Sequence, residues 1–251
     1  MIQSNFYEVI FKRKSIRKYE LKPLDIKVQH EIEEFAGAVK PLYEGIKTEI
    51  RIVSQGEASG LLSIKAPHYL IITSEKREGY LTNAGYMLQQ IDLFLSSRGL
   101  GSCYLGLTRP IKVIKKELEL EVVMVLAFGN PAEVLHRVHV SEFKRKSLQE
   151  ITNITAYEQF LEPARLAPSA TNSQPWYFTG DNEKIHVYCV KTNLLKALVY
   201  EKLNKFDIGI ALYHLATAAR NFHRGFEFVK EKSAESNPPK GYYYIGTVVI
   251  S

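Results

Sequence analysis

The sequence has few of the residues that mark specialised classes of protein. Its 251 residues include two cysteines, three methionines and one tryptophan. Neither Cys103 nor Cys189 belongs to a C-x-x-C pair or to a set with metal-ligand spacing, which argues against a disulfide framework and a zinc site. His136 and His139 lie three apart but lack a further ligand at metal spacing, so we expect surface or structural roles for them. The sequence therefore predicts free thiols in a reducing compartment and no metal.

Long apolar segments are also missing. The longest apolar runs are far shorter than the roughly 20 residues that span a bilayer. The first cationic cluster follows a mixed polar segment and does not precede an apolar one, unlike the cluster of a signal peptide. With 45% hydrophobic and 24% charged residues, the composition is typical of a soluble globular protein. We therefore expect a cytoplasmic protein without a membrane partner.

The positive charge is concentrated in two places. The net charge is +6, with cationic clusters at residues 12–18 and 144–146. A diffuse basic face would indicate nucleic acid, whereas two compact clusters suit a small phosphate group better. No nucleic-acid-binding motif accompanies the charge, so we expect no nucleic-acid partner. A basic nucleic-acid-binding protein stays open as the weaker alternative.

The chain contains one pattern of elements twice. The pentapeptide Phe-Lys-Arg-Lys-Ser occurs at residues 11–15 and again at 143–147. Each copy is followed by a helical stretch, a proline-containing loop and a strand. Pro163 is expected to interrupt or restart the second of these helical stretches. The predicted helices and strands are residues 28–39 and 68–73 in the first copy, and 157–166 and 184–190 in the second.

Two long helices strengthen the repeat. Asn83 and Asp207 lie at equivalent places in their apolar stripes, 124 residues apart, and the same offset relates Gly101 to Gly225 beyond the helices. Strands predicted at residues 121–128 and 242–250 complete each copy. We interpret the chain as two divergent copies of one α+β unit, with domains at residues 1–140 and 141–251.

Arg13, Ser15 and Arg17 alternate along the first cluster. In an extended segment their side chains share one face, while Lys14 and Ile16 point the other way. Two guanidinium groups and a hydroxyl on one face suit a phosphate, because arginine makes bidentate, charge-assisted hydrogen bonds to phosphate oxygens. By itself such a pattern is more often a solvated basic surface.

A glycine-rich stretch, Gly-Leu-Gly-Ser-Cys-Tyr-Leu-Gly, occupies residues 99–106 at the end of the first long helix. Its glycines can end the helix and let backbone approach a ligand closely. It follows a helix and carries Tyr104 where a dinucleotide fingerprint requires glycine, so it is not such a fingerprint. Cys103 is a possible nucleophile, but a small buried residue in a tight loop is the favoured interpretation.

The stretch Ala-Pro-Ser-Ala-Thr-Asn-Ser-Gln-Pro-Trp at residues 167–176 contains the only tryptophan. Each proline disfavours the helical region for its predecessor, so Ala167 and Gln174 are expected to be extended. Asn172 and Gln174 would then lie on one side and could contact the polar edge of a planar heterocycle. A surface turn that Trp176 pins to the core is the other interpretation.

In this order the three stretches resemble the motifs of the FMN-dependent nitroreductase family: R-x-S-x-R/K, G-L-G-S/T-C-W-x-G and A-P-S-x-x-N-x-Q-P-W. Tyr104 replaces the usual tryptophan, and Ala170 replaces one of two paired serines. The resemblance implies a nitroreductase-like α+β fold. It also implies that two basic residues later in the chain complete the phosphate site. The matching residues here are Arg145 and, less closely, Lys144. The implied FMN-binding residues are Arg13, Ser15, Arg17, Ser102, Cys103, Tyr104, Arg145, Pro168, Ser169, Ala170 and Asn172.

The family is usually a homodimer in which the loop of the A-P-S-x-x-N-x-Q-P-W motif reaches the flavin of the other subunit. This signature loop corresponds here to residues 167–176. A fused second copy therefore implies an intramolecular pseudo-dimer, and a monomer in solution. A second flavin site, with the roles of the two copies exchanged, would need the signature loop at residues 41–45 and the glycine-rich loop near residue 225. Glu44 and Phe226 stand at those places instead, and would close that site. We expect one FMN per chain.

The implied activity is an FMN-dependent oxidoreductase that passes hydride from NAD(P)H to a small acceptor such as a nitroaromatic or a quinone. No side chain need act as acid or base, because the cofactor carries the chemistry. A flavin-binding carrier or sensor without turnover is the alternative. The two differ in whether NAD(P)H reduces the flavin at a useful rate.

Overall fold

The computed structural model describes residues 5–55, 58–59, 64–106, 108–110, 118–155, 157–181, 183–192 and 197–251. The chain divides into two compact units, Met1–Glu142 and Phe143–Ser251. Each contains helices and an antiparallel sheet of four strands. The fold is of the α+β class, as the sequence predicts.

Among its described residues, the first unit has three α-helices. Helix α2 begins after Asp25, whose carboxylate accepts a hydrogen bond from the Lys27 N–H at 2.9 Å and so caps the helix. Helix α3 is buried along almost its whole length and ends at Gly99, where a positive φ of 80° suits glycine. The helices are α1 (Phe6–Ile10), α2 (Ile26–Ala38) and α3 (Tyr80–Ser97).

The main sheet of the first unit has the order β1-β3-β6-β4. Its second strand, β3, is buried at every position, which explains its continuous apolar sequence. Strand β4 lies at one edge and pairs only with β6 within this sheet. The strands of the unit are β1 (Thr48–Ser54), β2 (Ala58–Ser59), β3 (His68–Ser74), β4 (Gly101–Tyr104), β5 (Arg109–Pro110) and β6 (Glu121–Gly129), with β2 and β5 forming a separate pair.

The second unit repeats this arrangement of strands with its own helices. A capping box of Ser147 and Glu150 begins its first helix. Its helices are α4 (Leu148–Ile151), α5 (Glu158–Arg165), α6 (Ala197–Asn221) and α7 (Lys232–Ser236). Its strands are β7 (Trp176–Gly180), β8 (Lys184–Val190), β9 (Glu227–Val229) and β10 (Tyr242–Val249), in the order β7-β8-β10-β9.

Both four-stranded sheets follow one topology. In chain order, the first strand pairs with the second, the second with the fourth and the fourth with the third, and the long helix comes between the second and third. Two unrelated folds would have no reason to share strand order, strand direction and helix position. The common topology supports the repeat, which stays a proposal together with the domain limits at residues 1–140 and 141–251.

The prediction for Pro163 was wrong. Helix α5 runs through this proline without interruption, and the Pro163 carbonyl accepts a hydrogen bond from the His214 ring at 2.7 Å. Pro163 and its neighbour Ala164 are buried, so tertiary packing offsets the local cost of the missing N–H. The other helices and strands named from the sequence are present, with ends shifted by a few residues.

Candidate functional site

The predicted phosphate-binding residues Arg13, Ser15 and Arg17, here called the clamp, lie along the edge of the first sheet. Ser15 forms a parallel bridge with Ser102, and the Ile16 N–H donates to the Ser102 carbonyl at 2.9 Å. Because β4 is an edge strand of this sheet, its outer side can pair with Ser15 and Ile16. The structure therefore brings Arg13 and Ser15 beside the glycine-rich loop, as one continuous piece of the first unit.

Arg13 is the largest charged side chain in the core of the first unit. Only 2% of it is exposed, and its Nε lies 3.1 Å from Asp92 Oδ2. Its Nη2 donates to Asp92 Oδ1 and to Ser15 Oγ, each at 3.5 Å. One edge of the guanidinium is thus occupied by a carboxylate, whereas the sequence pattern predicts an open clamp. Within the part of the chain that the structure describes, Nη1 makes no hydrogen bond.

Asp92 is a residue that the sequence interpretation missed. It lies on α3, is fully buried, and accepts hydrogen bonds from the Ser102 hydroxyl and from Gln89 Nε2, the latter at 3.0 Å. Gln89 in turn accepts from the Tyr104 hydroxyl at 2.7 Å. A carboxylate within the apolar stripe of a buried helix is the signal that could have revealed it, because such a charge needs a partner.

Cys103 is buried, with 4% of its surface exposed, and burial raises the pKa of its thiol. A raised pKa keeps the side chain protonated near neutral pH, and the thiolate is the form that reacts. Its Sγ donates a hydrogen bond to the Tyr104 carbonyl at 3.7 Å. These observations support packing and loop geometry, and not nucleophilic chemistry, as the contribution of Cys103.

Arg17 is the exposed cation of the clamp. Its backbone N–H and that of Lys18 both donate to Glu133 Oε1, at 2.7 Å and 3.1 Å, which fixes the chain while the Arg17 side chain stays exposed. These hydrogen bonds hold the pKa of the Glu133 carboxyl below its usual range. A positive side chain on a fixed backbone suits the binding of an anion from solvent.

Arg137 is a second residue that the sequence interpretation missed. Its guanidinium donates to the Arg13 carbonyl, and its backbone N–H donates to the Lys12 carbonyl at 2.8 Å. Burial, and then the charge of Arg13, lower the pKa of Arg137 to about 10. Arg137 therefore remains charged at neutral pH and fixes the clamp backbone, although it lies outside both basic clusters of the sequence.

In the second unit, Arg145 contacts the signature loop at residues 167–176. Its guanidinium donates to the carbonyls of Phe143 (2.9 Å) and Ala167 (3.2 Å) and to Asn172 Oδ1. Asn172 donates in return to the Lys144 carbonyl at 2.9 Å. The basic pair predicted for a phosphate thus holds the loop in place, and its proposed contact with a phosphate stays a prediction.

Gln174 was predicted to be extended, and this was wrong. Its φ is +49°, in the left-handed region, so Asn172 and Gln174 do not form the extended pair expected at a flavin edge. The Gln174 N–H donates to Ser169 Oγ at 2.9 Å, and its side chain accepts from the Lys146 N–H at 2.7 Å and donates to the Asn172 carbonyl at 2.9 Å. These hydrogen bonds offset the cost of the unusual backbone conformation.

Helix α6 fixes the beginning of the signature loop. Pro168 is buried, and the Ala170 N–H donates to Asp207 Oδ2 on α6 at 2.9 Å. In the first unit Asn83, the equivalent of Asp207, accepts from the N–H groups of Leu42 and Tyr43 at 2.8 Å and 3.0 Å. The long helix of each unit therefore holds its proline-containing loop by the same kind of hydrogen bond.

The signature loop retains polar groups that no neighbour satisfies. Ser173 Oγ and Trp176 Nε1 are buried and have no hydrogen-bond partner among the described residues. Trp176 is 1% exposed, which confirms its prediction as a core anchor. Buried polar groups in native proteins nearly always have partners, so a ligand or water with acceptor atoms would suit this loop.

The described residues offer no group of three or more His, Cys, Asp or Glu side chains that could hold a metal ion. Instead, His136 Nε2 lies 3.0 Å from Ser96 Oγ and its backbone pairs with that of Arg13, which fits a structural role. Of the helices that the structure describes, none is both long and apolar enough to cross a bilayer.

Replacing Gly101 with alanine is expected to lower the free energy of unfolding by about 1–3 kcal/mol, as overpacking does elsewhere. A Cβ on Gly101 would lie 2.7 Å from the Cβ of Ile16, which is fully buried and cannot move aside. Urea unfolding measures the difference. Gly37 is the matched control, since a Cβ there meets nothing within 4 Å, and alanine in a helix is favoured by roughly 0.5–1 kcal/mol. Equal stability of the two variants would contradict the packing of the clamp on β4.

Comparison with known proteins agrees with these motifs. Residues 5–219 match the model of the family described as "Putative TM nitroreductase". The fold resembles a crystal structure from Thermotoga maritima described as a "putative nitroreductase", with a TM-score of 0.67 and 23% identity over 98% of this chain and 93% of that one. The search of curated proteins found no significant match.

Two further structures match about half of this chain. One is an FMN-dependent nitroreductase from Clostridium difficile, 20% identical over 54% of this chain and 93% of that one, with a TM-score of 0.43. The other is a nitroreductase with bound FMN from Desulfitobacterium hafniense, 13% identical over 53% of this chain and 92% of that one, with a TM-score of 0.42. The family model matches residues 5–219, which is most of this chain. The chain therefore belongs to the nitroreductase family.

Proposed function

We propose that this protein is an FMN-dependent oxidoreductase that takes reducing equivalents from NADH or NADPH. The observation that carries the proposal is the pairing of the clamp with the edge strand β4, where the Ile16 N–H donates to the Ser102 carbonyl at 2.9 Å. It joins two motifs that are 87 residues apart in the sequence, Ser15 and Ser102, in a chain of the nitroreductase family. When bound, FMN would supply the exchange of hydride between a nicotinamide nucleotide and a small acceptor.

The clamp has the chemistry that the phosphate of FMN requires. Arg17 supplies an exposed charge, Ser15 a half-buried hydroxyl, and Arg13 a guanidinium of which one edge is already paired. A phosphate accepts charge-assisted hydrogen bonds from each of these groups. The residues present therefore fit the phosphate end of the cofactor.

We propose further FMN-binding residues on the glycine-rich loop and on the signature loop. Ser102, Cys103 and Tyr104 would contact the ring through a loop that Asp92 and Gln89 hold in place. Pro168, Ser169, Ala170 and Asn172, with Arg145, are proposed from the second unit, whose loop is fixed by its own hydrogen bonds. The chain's own contribution is to bind and orient the ring, because no acid or base is needed.

The first experiment is a visible absorption spectrum of the purified protein after incubation with FMN, with the bound flavin counted per chain. About one FMN per chain is expected, together with reduction by NADH or NADPH and reoxidation by a nitroaromatic or a quinone. FMN that binds but is not reduced would support a carrier or sensor. No flavin at all would contradict the proposal.

Arg17→Ala is expected to weaken FMN binding about tenfold while riboflavin binding changes little, since only FMN carries the phosphate. Fluorescence titration with each flavin gives the two dissociation constants. Lys18→Ala is the control: Lys18 is also exposed, and its N–H also donates to Glu133, but it lies outside the alternating clamp. Equal effects of the two variants would show a general electrostatic attraction and not a clamp.

A further inference from the structure

Asp92 is the centre of the buried hydrogen-bond network in the first unit. Its carboxylate accepts from Arg13, from the Ser102 hydroxyl and from Gln89, and it is fully buried. These donors come from three places in the chain: the clamp, the glycine-rich loop and α3 itself. One carboxylate therefore fixes the relative positions of the two motifs to which we assign FMN binding.

The network continues from Asp92 to Tyr104. Gln89 donates to Asp92 Oδ2 at 3.0 Å through its Nε2, and its Oε1 accepts from the Tyr104 hydroxyl at 2.7 Å. An amide that both donates and accepts transmits orientation from one partner to the other. Tyr104 is the last residue of β4 and is half-buried, and the hydrogen bond from its hydroxyl to Gln89 orients its ring.

Asp92 also determines which edge of Arg13 is available. The guanidinium carries its five N–H donors in a rigid fork. Asp92 lies against Nε and Nη2, at 3.1 Å and 3.5 Å, and Nη1 makes no hydrogen bond within the described ranges. The pair as a whole is neutral, so Asp92 converts Arg13 from a free cation into an oriented donor.

We propose that Asp92 is a positioning residue that sets Arg13 for the phosphate and, through Gln89, Tyr104 for the ring, and so makes the site select FMN over riboflavin. The inference rests on the proposed function. A purely electrostatic account predicts the opposite change in FMN binding when the Asp92 charge is removed. If charge alone mattered, removal of the Asp92 charge would strengthen the binding of a phosphate; if orientation matters, removal weakens it.

The test compares FMN and riboflavin binding to Asp92→Asn by fluorescence titration. The preference for FMN, measured as the ratio of the two dissociation constants, is expected to fall at least about tenfold, the effect of losing one charge-assisted hydrogen bond. Gln89→Leu cuts only the branch to Tyr104, so both flavins should weaken alike and the visible band should shift. Gln90→Leu is the matched control: Gln90 is buried on the same helix but bonds to the Lys40 backbone.

An unchanged preference in Asp92→Asn, or tighter FMN binding, would overturn the inference. If Asp92→Asn does not fold, the same ratio of dissociation constants is measured for Arg13→Lys, which keeps the positive charge but lacks the forked guanidinium. An unchanged preference for FMN in that variant would likewise overturn the inference. If the wild-type protein takes up no FMN, the proposed function fails and this inference with it. If wild-type binds FMN and Asp92→Asn keeps the wild-type preference, this inference alone fails.

Discussion

Replacing Arg13 with alanine is expected to lower the free energy of unfolding by about 3–5 kcal/mol in the absence of any ligand. The change removes the cation beside Asp92, whose carboxylate is 0% exposed and lies 3.1 Å from Arg13 Nε. An unpaired buried charge is costly, because it loses its hydration and gains nothing in exchange. Urea unfolding followed by circular dichroism measures the loss.

A double variant separates the cost of the unpaired charge from the contribution of the ion pair. Arg13→Met with Asp92→Leu replaces the pair by apolar side chains and is expected to recover most of the lost stability, as such replacements do elsewhere. The control is Glu31→Ala, which breaks an exposed pair with Arg98 at 3.0 Å and should cost about 0–1 kcal/mol. If the double variant is no more stable than Arg13→Ala, Asp92 is not the source of the cost.

Much of the fold follows from local patterns. The apolar stripe from Leu81 to Leu95 predicts α3, and the run at residues 68–73 predicts β3, because a helix and a buried strand need different periods of apolar side chains. The glycine at position 99 ends α3 with a positive φ, as its place in the sequence predicts. These features depend on residues within one or two turns of each other.

The partners of the polar side chains do not follow from local patterns. Alternation places Arg13 and Ser15 on one face, but the carboxylate that pairs with Arg13 lies 79 residues away. The pentapeptide at residues 11–15 shows the same limit, since its second copy places Arg145 against loop carbonyls and Asn172. Identical sequences have different roles because the tertiary contacts decide which charges are neutralised.

Local rules fail where several tertiary contacts act together. Gln174 precedes a proline and should be extended, yet three hydrogen bonds hold it at a φ of +49°. Pro163 is expected to interrupt or restart a helix, yet it lies within α5, where its carbonyl accepts a hydrogen bond from the ring of His214. Both residues are buried, and burial is the property that a short sequence window predicts least well.

The two units support each other as evidence for a repeat. Each sheet has the same strand order, and in each unit the long helix accepts a hydrogen bond from the loop that follows a proline. The acceptor is Asn83 in one and Asp207 in the other, at the 124-residue offset found in the sequence. One difference remains: the amide is neutral, whereas the acid can ionise.

Replacing Asp207 with asparagine is therefore expected to raise the free energy of unfolding at neutral pH by about 2 kcal/mol, in the range for a buried polar group that is incompletely paired. Burial raises the pKa of the Asp207 carboxyl well above its usual value, and a single backbone N–H, that of Ala170, opposes this. The asparagine oxygen can still accept that hydrogen bond, at 2.9 Å in the wild-type protein.

The pH dependence gives the sharper test. Because the folded pKa of Asp207 is raised, its contribution to stability is complete below the pKa of the unfolded chain and is lost as the pH rises through the folded value. The advantage of Asp207→Asn should grow from acidic to neutral pH. The reciprocal control, Asn83→Asp, removes a donor to Thr48 Oγ1 and buries an acid, so it should destabilise the protein increasingly as the pH rises. An Asp207→Asn variant that is less stable than wild-type at neutral pH would contradict the prediction, because it would show that the carboxyl group stabilises the folded protein there.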